Sequence, residues 1–173
     1  FCYGVKRAVE TTKKLKHQNP DKEIYVLGEL IHNSQVINEL KELGIKTVDE
    51  LPELCGEKNS AICVIRSHGA GYDVFEDIKN KGYELVDLTC PDVKKVQDRA
   101  VQLAKEDYFV IILGKEEHPE VIAIRADAQK FAKNKERVYV AKNLDALKEI
   151  ESALKKEQKI GIVIQTTQRI EYL

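Results

Sequence analysis

The sequence predicts an α/β fold made of repeated parallel-sheet α/β units. Three observations carry that prediction: short β-branched runs recur along the 173 residues, helical periods separate most of them, and four stretches reappear in the same order in the second half of the chain.

The runs are Ile24-Tyr25-Val26-Leu27, Ala61 to Ile65, Leu85 to Leu88, Tyr108 to Leu113, Val138 to Val140 and Ile160 to Ile164. Each is short, apolar and bounded by polar or turn-forming residues, which is the pattern of a strand buried on both faces. Between them, Val36, Ile37, Leu40 and Leu43 form an apolar stripe that Asn33 would cap and Gly44 would stop. Val93, Val96, Ala100, Leu103 and Ala104 form another, opened by Pro91, whose fixed φ and missing N–H suit a first helical turn. Near-continuous apolar strands separated by helices imply parallel sheets covered on both sides.

The internal matches divide the chain. Cys2-Tyr3-Gly4-Val5-Lys6-Arg7 corresponds to Cys90-Pro91-Asp92-Val93-Lys94-Lys95, and Leu27-Gly28 with His32 corresponds to Leu113-Gly114 with His118. Glu50 to Leu54 then pairs with Asn143 to Leu147, and Val64-Ile65-Arg66-Ser67 with Val163-Ile164-Gln165-Thr166. Collinear repeats of this kind indicate duplication of one supersecondary unit. The expected units are residues 1–89 and 90–173. Because a strand precedes Cys90, a strand is also expected ahead of Cys2, before residue 1. The chain opens on Phe1 without an initiator Met and closes on Leu173 just past an apolar run, so both ends read as cut.

Composition narrows the function classes. Lys plus Arg, 28, nearly equals Asp plus Glu, 29, so no global field draws in nucleic acid or anionic lipid. No apolar run reaches the roughly 18 residues of a bilayer span, and residues 1–20 lack a signal peptide's apolar core. A cytoplasmic protein without membrane or nucleic-acid partners is expected. The four Cys lack the spacing of a disulfide framework and form no Cys-x-x-Cys, which leaves thiols or metal ligands.

In open parallel sheets, ligands bind beyond the carboxyl ends of the strands. Here those positions carry His32, then Ser67 and His68, then Cys90, then His118 and Glu120, and last Thr166 and Thr167. Cys2 and Cys90 each open a helix, where the positive end of the dipole favours thiolate, the form that binds iron or zinc. A lone Cys at a helix start is more often a packing residue; its repetition at matched positions reverses that preference. Cys63 sits in an apolar strand and reads as core, Cys55 as an incidental loop residue. His17 lies among lysines and reads as solvated. Imidazole N–H groups from His32, His68 and His118, with the Ser67 hydroxyl, suit the oxygens of a phosphate or diphosphate. Their spacing fits no short zinc motif. Glu120 is placed to donate a proton if burial raises its pKa, with Thr166 or Thr167 relaying or positioning; the plain alternative is an acidic residue favouring a helix N-terminus.

With these motifs together, namely Phe1-Cys2-Tyr3-Gly4-Val5, Gly28-Glu29-Leu30-Ile31-His32-Asn33, Ser67-His68-Gly69, Asp87-Leu88-Thr89-Cys90-Pro91, Gly114 to Val121 and Gln165-Thr166-Thr167, the chain resembles the 4-hydroxy-3-methylbut-2-enyl diphosphate reductase family. The resemblance implies three pseudo-symmetric α/β units around a 4Fe-4S cluster, of which this chain carries two. It implies Cys2 and Cys90 as metal ligands and His32, His68 and His118 as diphosphate-binding or proton-handling residues. It also implies Glu120 as proton donor, Thr166 and Thr167 as substrate contacts, and a ferredoxin or flavodoxin as electron donor. The allylic diphosphate would lose its hydroxyl as water. One departure is plain: the third cluster Cys belongs beyond Leu173, so the fragment alone is expected to be inactive. Two other readings stand beside this one. The first is another Cys-ligated 4Fe-4S dehydratase, such as a quinolinate-synthase-like enzyme; the second is a non-catalytic phosphate-binding α/β module. The reductase reading predicts that the gene continues past Leu173 into a third strand-and-helix unit with a Cys at a helix start. Sequencing that finds no such Cys removes the cluster's necessary ligand.

Overall fold

The computed structural model describes residues 2–31, 33–54 and 57–168. The chain divides into two compact units, Phe1–Cys90 and Pro91–Leu173.

The first unit runs α1 (Tyr3–Gln18), β1 (Glu23–Leu27), α2 (Ser34–Glu42), β2 (Ile45–Val48), β3 (Ala61–Ile65), α3 (Tyr72–Asn80) and β4 (Glu84–Asp87). Its four strands pair in parallel in the order β2-β1-β3-β4, with Val26 opposite both Thr47 and Val64, and Val64 opposite Val86. The period of two along each strand sorts the core into two layers. Ile24, Val26, Ile62 and Val64 pack with Ala8 of α1 and Val36 and Leu40 of α2, while Tyr25, Cys63 and Ile65 pack with Ile78 of α3 and with Tyr83. The Asn33 side chain accepts from the Val36 N–H, and Gly44 follows α2 at φ +77°, so the expected cap and stop both form.

The second unit runs α4 (Pro91–Lys105), β5 (Phe109–Leu113), α5 (Pro119–Phe131), β6 (Val138–Ala141), a 3-10 segment running into the short α6 (Glu151–Leu154), and β7 (Ile160–Ile164). Its strands are again all parallel, in the order β6-β5-β7. That order repeats β2-β1-β3, with the first strand of each unit at the centre. Val110, Ile112 and Val163 pack beneath Ala100 and Leu103 of α4 and Val121 and Ile124 of α5. The other face of β5 is covered by Ala146, Leu147, Ile150 and Leu154.

One difference from the sequence reading has a physical cause. β2 was not foreseen: it is a four-residue edge strand with one fully buried side chain, Ile45, so it has almost no apolar signal of its own. The run before Cys90, which the sequence reading places within residues 1–89, pairs with β3 in the first unit's sheet. One contrast between the repeats also stands out. All five residues of β3 are buried, whereas Ile160, Ile162 and Ile164 of β7 are 41%, 50% and 38% exposed. Alternate side chains of β7 share a face, and that face is uncovered among the described residues.

Gly161 shows how tightly α4 lies on the second sheet. A Cβ there would come within 2.7 Å of both Leu103 methyl carbons. Replacing Gly161 by Ala should therefore lower stability by about 1–3 kcal/mol through overpacking, read as a reduced midpoint in urea.

Candidate functional site

The carboxyl ends of the strands carry the reactive groups, and a matched pair of glycines shapes each end. Gly28 follows β1 and donates to the Val48 carbonyl at 2.7 Å; Gly114 follows β5 and donates to the Ala141 carbonyl at 2.9 Å. In both units the glycine makes room for the side chain that leaves the third strand. A Cβ on Gly28 would sit 2.7 Å from Arg66, and one on Gly114 would sit 2.8 Å from Gln165 Oε1. Arg66 and Gln165 are counterparts in the internal repeat, so the two units share one local construction.

In the second unit this construction holds a buried carboxyl. His118 caps α5, its Nδ1 accepting from the Glu120 N–H at 3.2 Å. An acceptor at Nδ1 puts the proton of a neutral ring on Nε2. Glu120 is fully buried in the first turn of α5. Thr166, just past β7, donates its N–H to Oε1 at 2.7 Å and its hydroxyl to Oε2 at 2.9 Å. Burial pushes the Glu120 pKa above the ordinary carboxylate value, and the two bonds from Thr166 partly oppose it. Thr166 itself is exposed, so its hydroxyl connects the buried carboxyl to the surface.

Gln165 was missed as a site residue, although it lies in a quoted motif. It is 4% exposed, accepts from the Lys115 N–H at 3.0 Å and donates to the Thr167 hydroxyl at 2.6 Å. One amide thus ties the loop after β5 to the loop after β7. Its signal was positional: it is the first residue past a strand, next to two threonines. A cavity of about 630 Å³ opens between Lys115, Glu117, Lys142 and Gln168, and its lining includes neither Glu120, His118 nor Thr166.

In the first unit, Ser67 is buried and His68 half-buried in a tight turn closed by the Gly69 N–H on the Arg66 carbonyl. The Ser67 carbonyl accepts the Cys90 N–H at 2.9 Å, which links this turn to the second cysteine. Cys2 is exposed and starts α1; Cys90 is half-buried and immediately precedes α4. A Cβ on Gly4, one residue into the first turn past Tyr3, would come within 2.7 Å of the Cys90 sulfur, so the helix start that carries Cys2 lies against Cys90. Cys63 is core, its thiol pushed up to about 12 by burial, and His17 is exposed. His32 and Cys55 lie outside the described residues. Among the described residues no three His, Cys, Asp or Glu side chains gather closely enough to hold a metal ion. Cys2 and Cys90 are free thiols at helix starts, the kind of group a thiolate-bound metal centre uses. No helix among these residues is long and apolar enough to cross a membrane.

A profile of the LytB protein family matches residues 1–173. The chain belongs to that family. Among its relatives, the 4-hydroxy-3-methylbut-2-enyl diphosphate reductase of Alkaliphilus oremlandii is 40% identical over 150 residues, covering 85% of this chain and 52% of the relative. The reductase of the same name from Aquifex aeolicus is 39% identical over 173 residues, covering 99% and 55%. A solved (E)-4-hydroxy-3-methyl-but-2-enyl diphosphate reductase superposes with a TM-score of 0.82 at 37% identity, over 99% of this chain and 57% of its own. The corresponding Plasmodium falciparum reductase gives 0.85 at 28% identity, over 99% and 50%. The LytB chain therefore spans about half the length of these relatives, and its repeated parallel α/β architecture is theirs.

Burial of Glu120 has a consequence for stability. A carboxyl with a raised folded pKa favours folding below the ordinary carboxylate pKa and loses that contribution as pH rises through its folded value. Gln at position 120 keeps both bonds to Thr166 with the hydroxyl reversed. Glu120→Gln should raise the thermal midpoint at neutral pH, and the gain should vanish below about pH 4. A midpoint difference that does not change with pH would show that Glu120 is not the titrating group.

Proposed function

We propose that this chain forms the first two units of a 4-hydroxy-3-methylbut-2-enyl diphosphate reductase, an iron-sulfur oxidoreductase of the non-mevalonate route to isoprenoids. In that reaction the allylic C–O bond breaks, two electrons and two protons are taken up, and isopentenyl or dimethylallyl diphosphate forms with one water. The observation that carries this reading is the fully buried Glu120 joined through both carboxyl oxygens to the exposed Thr166. A buried carboxyl whose pKa is raised by burial, with a hydroxyl leading outward, is suited to protonating a leaving hydroxyl.

Protonated Glu120 donates from Oε2 to Thr166 Oγ1, and the Thr166 hydroxyl passes its own proton to the departing oxygen. Thr167, held through Gln165, lies beside that path and orients the substrate. Neutral His118 presents Nε2–H to a diphosphate oxygen. Ser67, His68 and His32 supply further donors, so several negative oxygens are bound by hydrogen bonds rather than by a concentration of positive charge. Cys2 and Cys90, with a further thiolate, would hold an iron-sulfur cluster, which would supply the electrons. A ferredoxin or flavodoxin would deliver those electrons. The names of the matched relatives support a diphosphate substrate over the dicarboxylate of a quinolinate-synthase-like enzyme.

The test uses the full-length protein purified anaerobically. Glu120→Gln should lower turnover by a factor of about 10² or more while leaving the iron-sulfur absorption intact. Unchanged turnover would remove Glu120 from the proton path. Protection of the protein against heat by a dicarboxylate and not by an allylic diphosphate would overturn the substrate.

A further inference from the structure

The loop that carries Cys90 is held by more contacts than a simple strand-to-helix connection needs. Asp87 Oδ1 accepts from both the Thr89 N–H and the Thr89 hydroxyl, closing a local turn. The Leu88 N–H donates to the Ile65 carbonyl and the Cys90 N–H to the Ser67 carbonyl, tying the loop to the end of β3. From the other side, Arg7 of α1 reaches across 82 residues of sequence to place Nη2 on the Thr89 carbonyl at 2.7 Å and on the Leu88 carbonyl at 3.3 Å. One turn earlier on the same helix, Gly4 lies against the Cys90 side chain, where a Cβ would be 2.7 Å from the sulfur and 3.1 Å from the Cys90 Cβ.

These contacts lie on one helix, α1, whose first residue follows Cys2. We propose that Arg7 and Gly4 are positioning residues that set the Cys90 thiolate relative to Cys2: the guanidinium draws the Cys90 loop onto α1, and the missing side chain at position 4 lets the sulfur close in. The inference rests on reading Cys2 and Cys90 as ligands of the iron-sulfur centre.

The internal repeat supports a dedicated role. Gly4 corresponds to Asp92 and Arg7 to Lys95 in the second copy, so the copy that faces Cys90 differs from its duplicate at these two positions. Lys95 instead pairs with Asp92 on the helix surface at 3.1 Å. A basic residue is kept at the second position, but only the Arg makes forked contact with backbone carbonyls, and only the Gly admits a neighbouring thiol. Gly4 is not explained by helix formation, since Gly lowers helix propensity relative to Ala.

The experiment compares full-length Arg7→Gln, Arg7→Lys, Gly4→Ala and Cys90→Ser proteins, all purified anaerobically. Iron per chain, the electron paramagnetic resonance spectrum and the rate of iron release to a chelator are measured for each. Arg7→Gln and Gly4→Ala should release iron faster by on the order of tenfold, as for other residues that orient metal ligands, with KM for the diphosphate unchanged. Arg7→Lys should recover part of the loss, because an ammonium can still reach one carbonyl. Gly4→Ala guards against misfolding as the cause: Ala favours the helix, so its circular dichroism should match the parent while its iron is labile. If Cys90→Ser keeps full iron, the ligand reading itself fails. If Cys90→Ser loses iron but Arg7→Gln and Gly4→Ala release it at the parent rate, the ligand reading stands and the positioning proposal is overturned.

Discussion

The parallel pairing of β5 between β6 and β7 governs everything at the second unit's rim. Parallel strands end on the same side, so the loop after β5 and the loop after β7 must meet, although about 50 residues of sequence separate them. Once they meet, the backbone groups at their tips need partners. Gln165 supplies one, reaching the Lys115 N–H, and Glu120 supplies another by accepting the Thr166 N–H. The carboxyl is thus drawn into a structural role that joins the two loops. Its burial costs solvation, which the Thr166 bonds offset, and the raised pKa follows from what they leave uncompensated.

The first unit uses the same frame for a different end. Gly28 and Gly114, Arg66 and Gln165, and Ser67 and Thr166 occupy equivalent places, yet the counterpart of Glu120 in the repeat is Ser34, at the start of α2. The frame delivers side chains to a strand end without specifying what they are. In the first unit the deliveries are a buried serine, a histidine and, through β4, the second cysteine. Duplication therefore accounts for geometry, and divergence within it accounts for chemistry.

Much of this was legible because the relevant signals are local. Strands buried on both faces, such as Ala61–Ile65 and Phe109–Leu113, read directly from their apolar runs, and Asn33, Gly44 and Pro91 marked helix ends by their own backbone preferences. Reactive residues were legible for a related reason: in an open parallel sheet, whatever follows a strand stands at the ligand edge. What escaped lacked a local signal. β2 exists because β1 offers it a hydrogen-bonding edge, and four residues with one buried side chain cannot announce that alone. Gln165 looked like one polar residue among several, and its importance comes from two partners in different loops.

By itself the sequence determined the fold class, the internal repeat, the places of the helix starts bearing Cys2 and Cys90, and the polar residues that follow the strands. These follow from periodicity and residue chemistry, which need no knowledge of what lies nearby in space. Only the tertiary structure decided which of them act together. It showed that Glu120 is sealed from water and linked outward through Thr166, that Gln165 locks the two loops around them, and that Arg7 and Gly4 reach the Cys90 loop. Burial, a shifted pKa and a thiol's freedom to approach are properties of surroundings, and those surroundings are assembled from segments far apart in the chain.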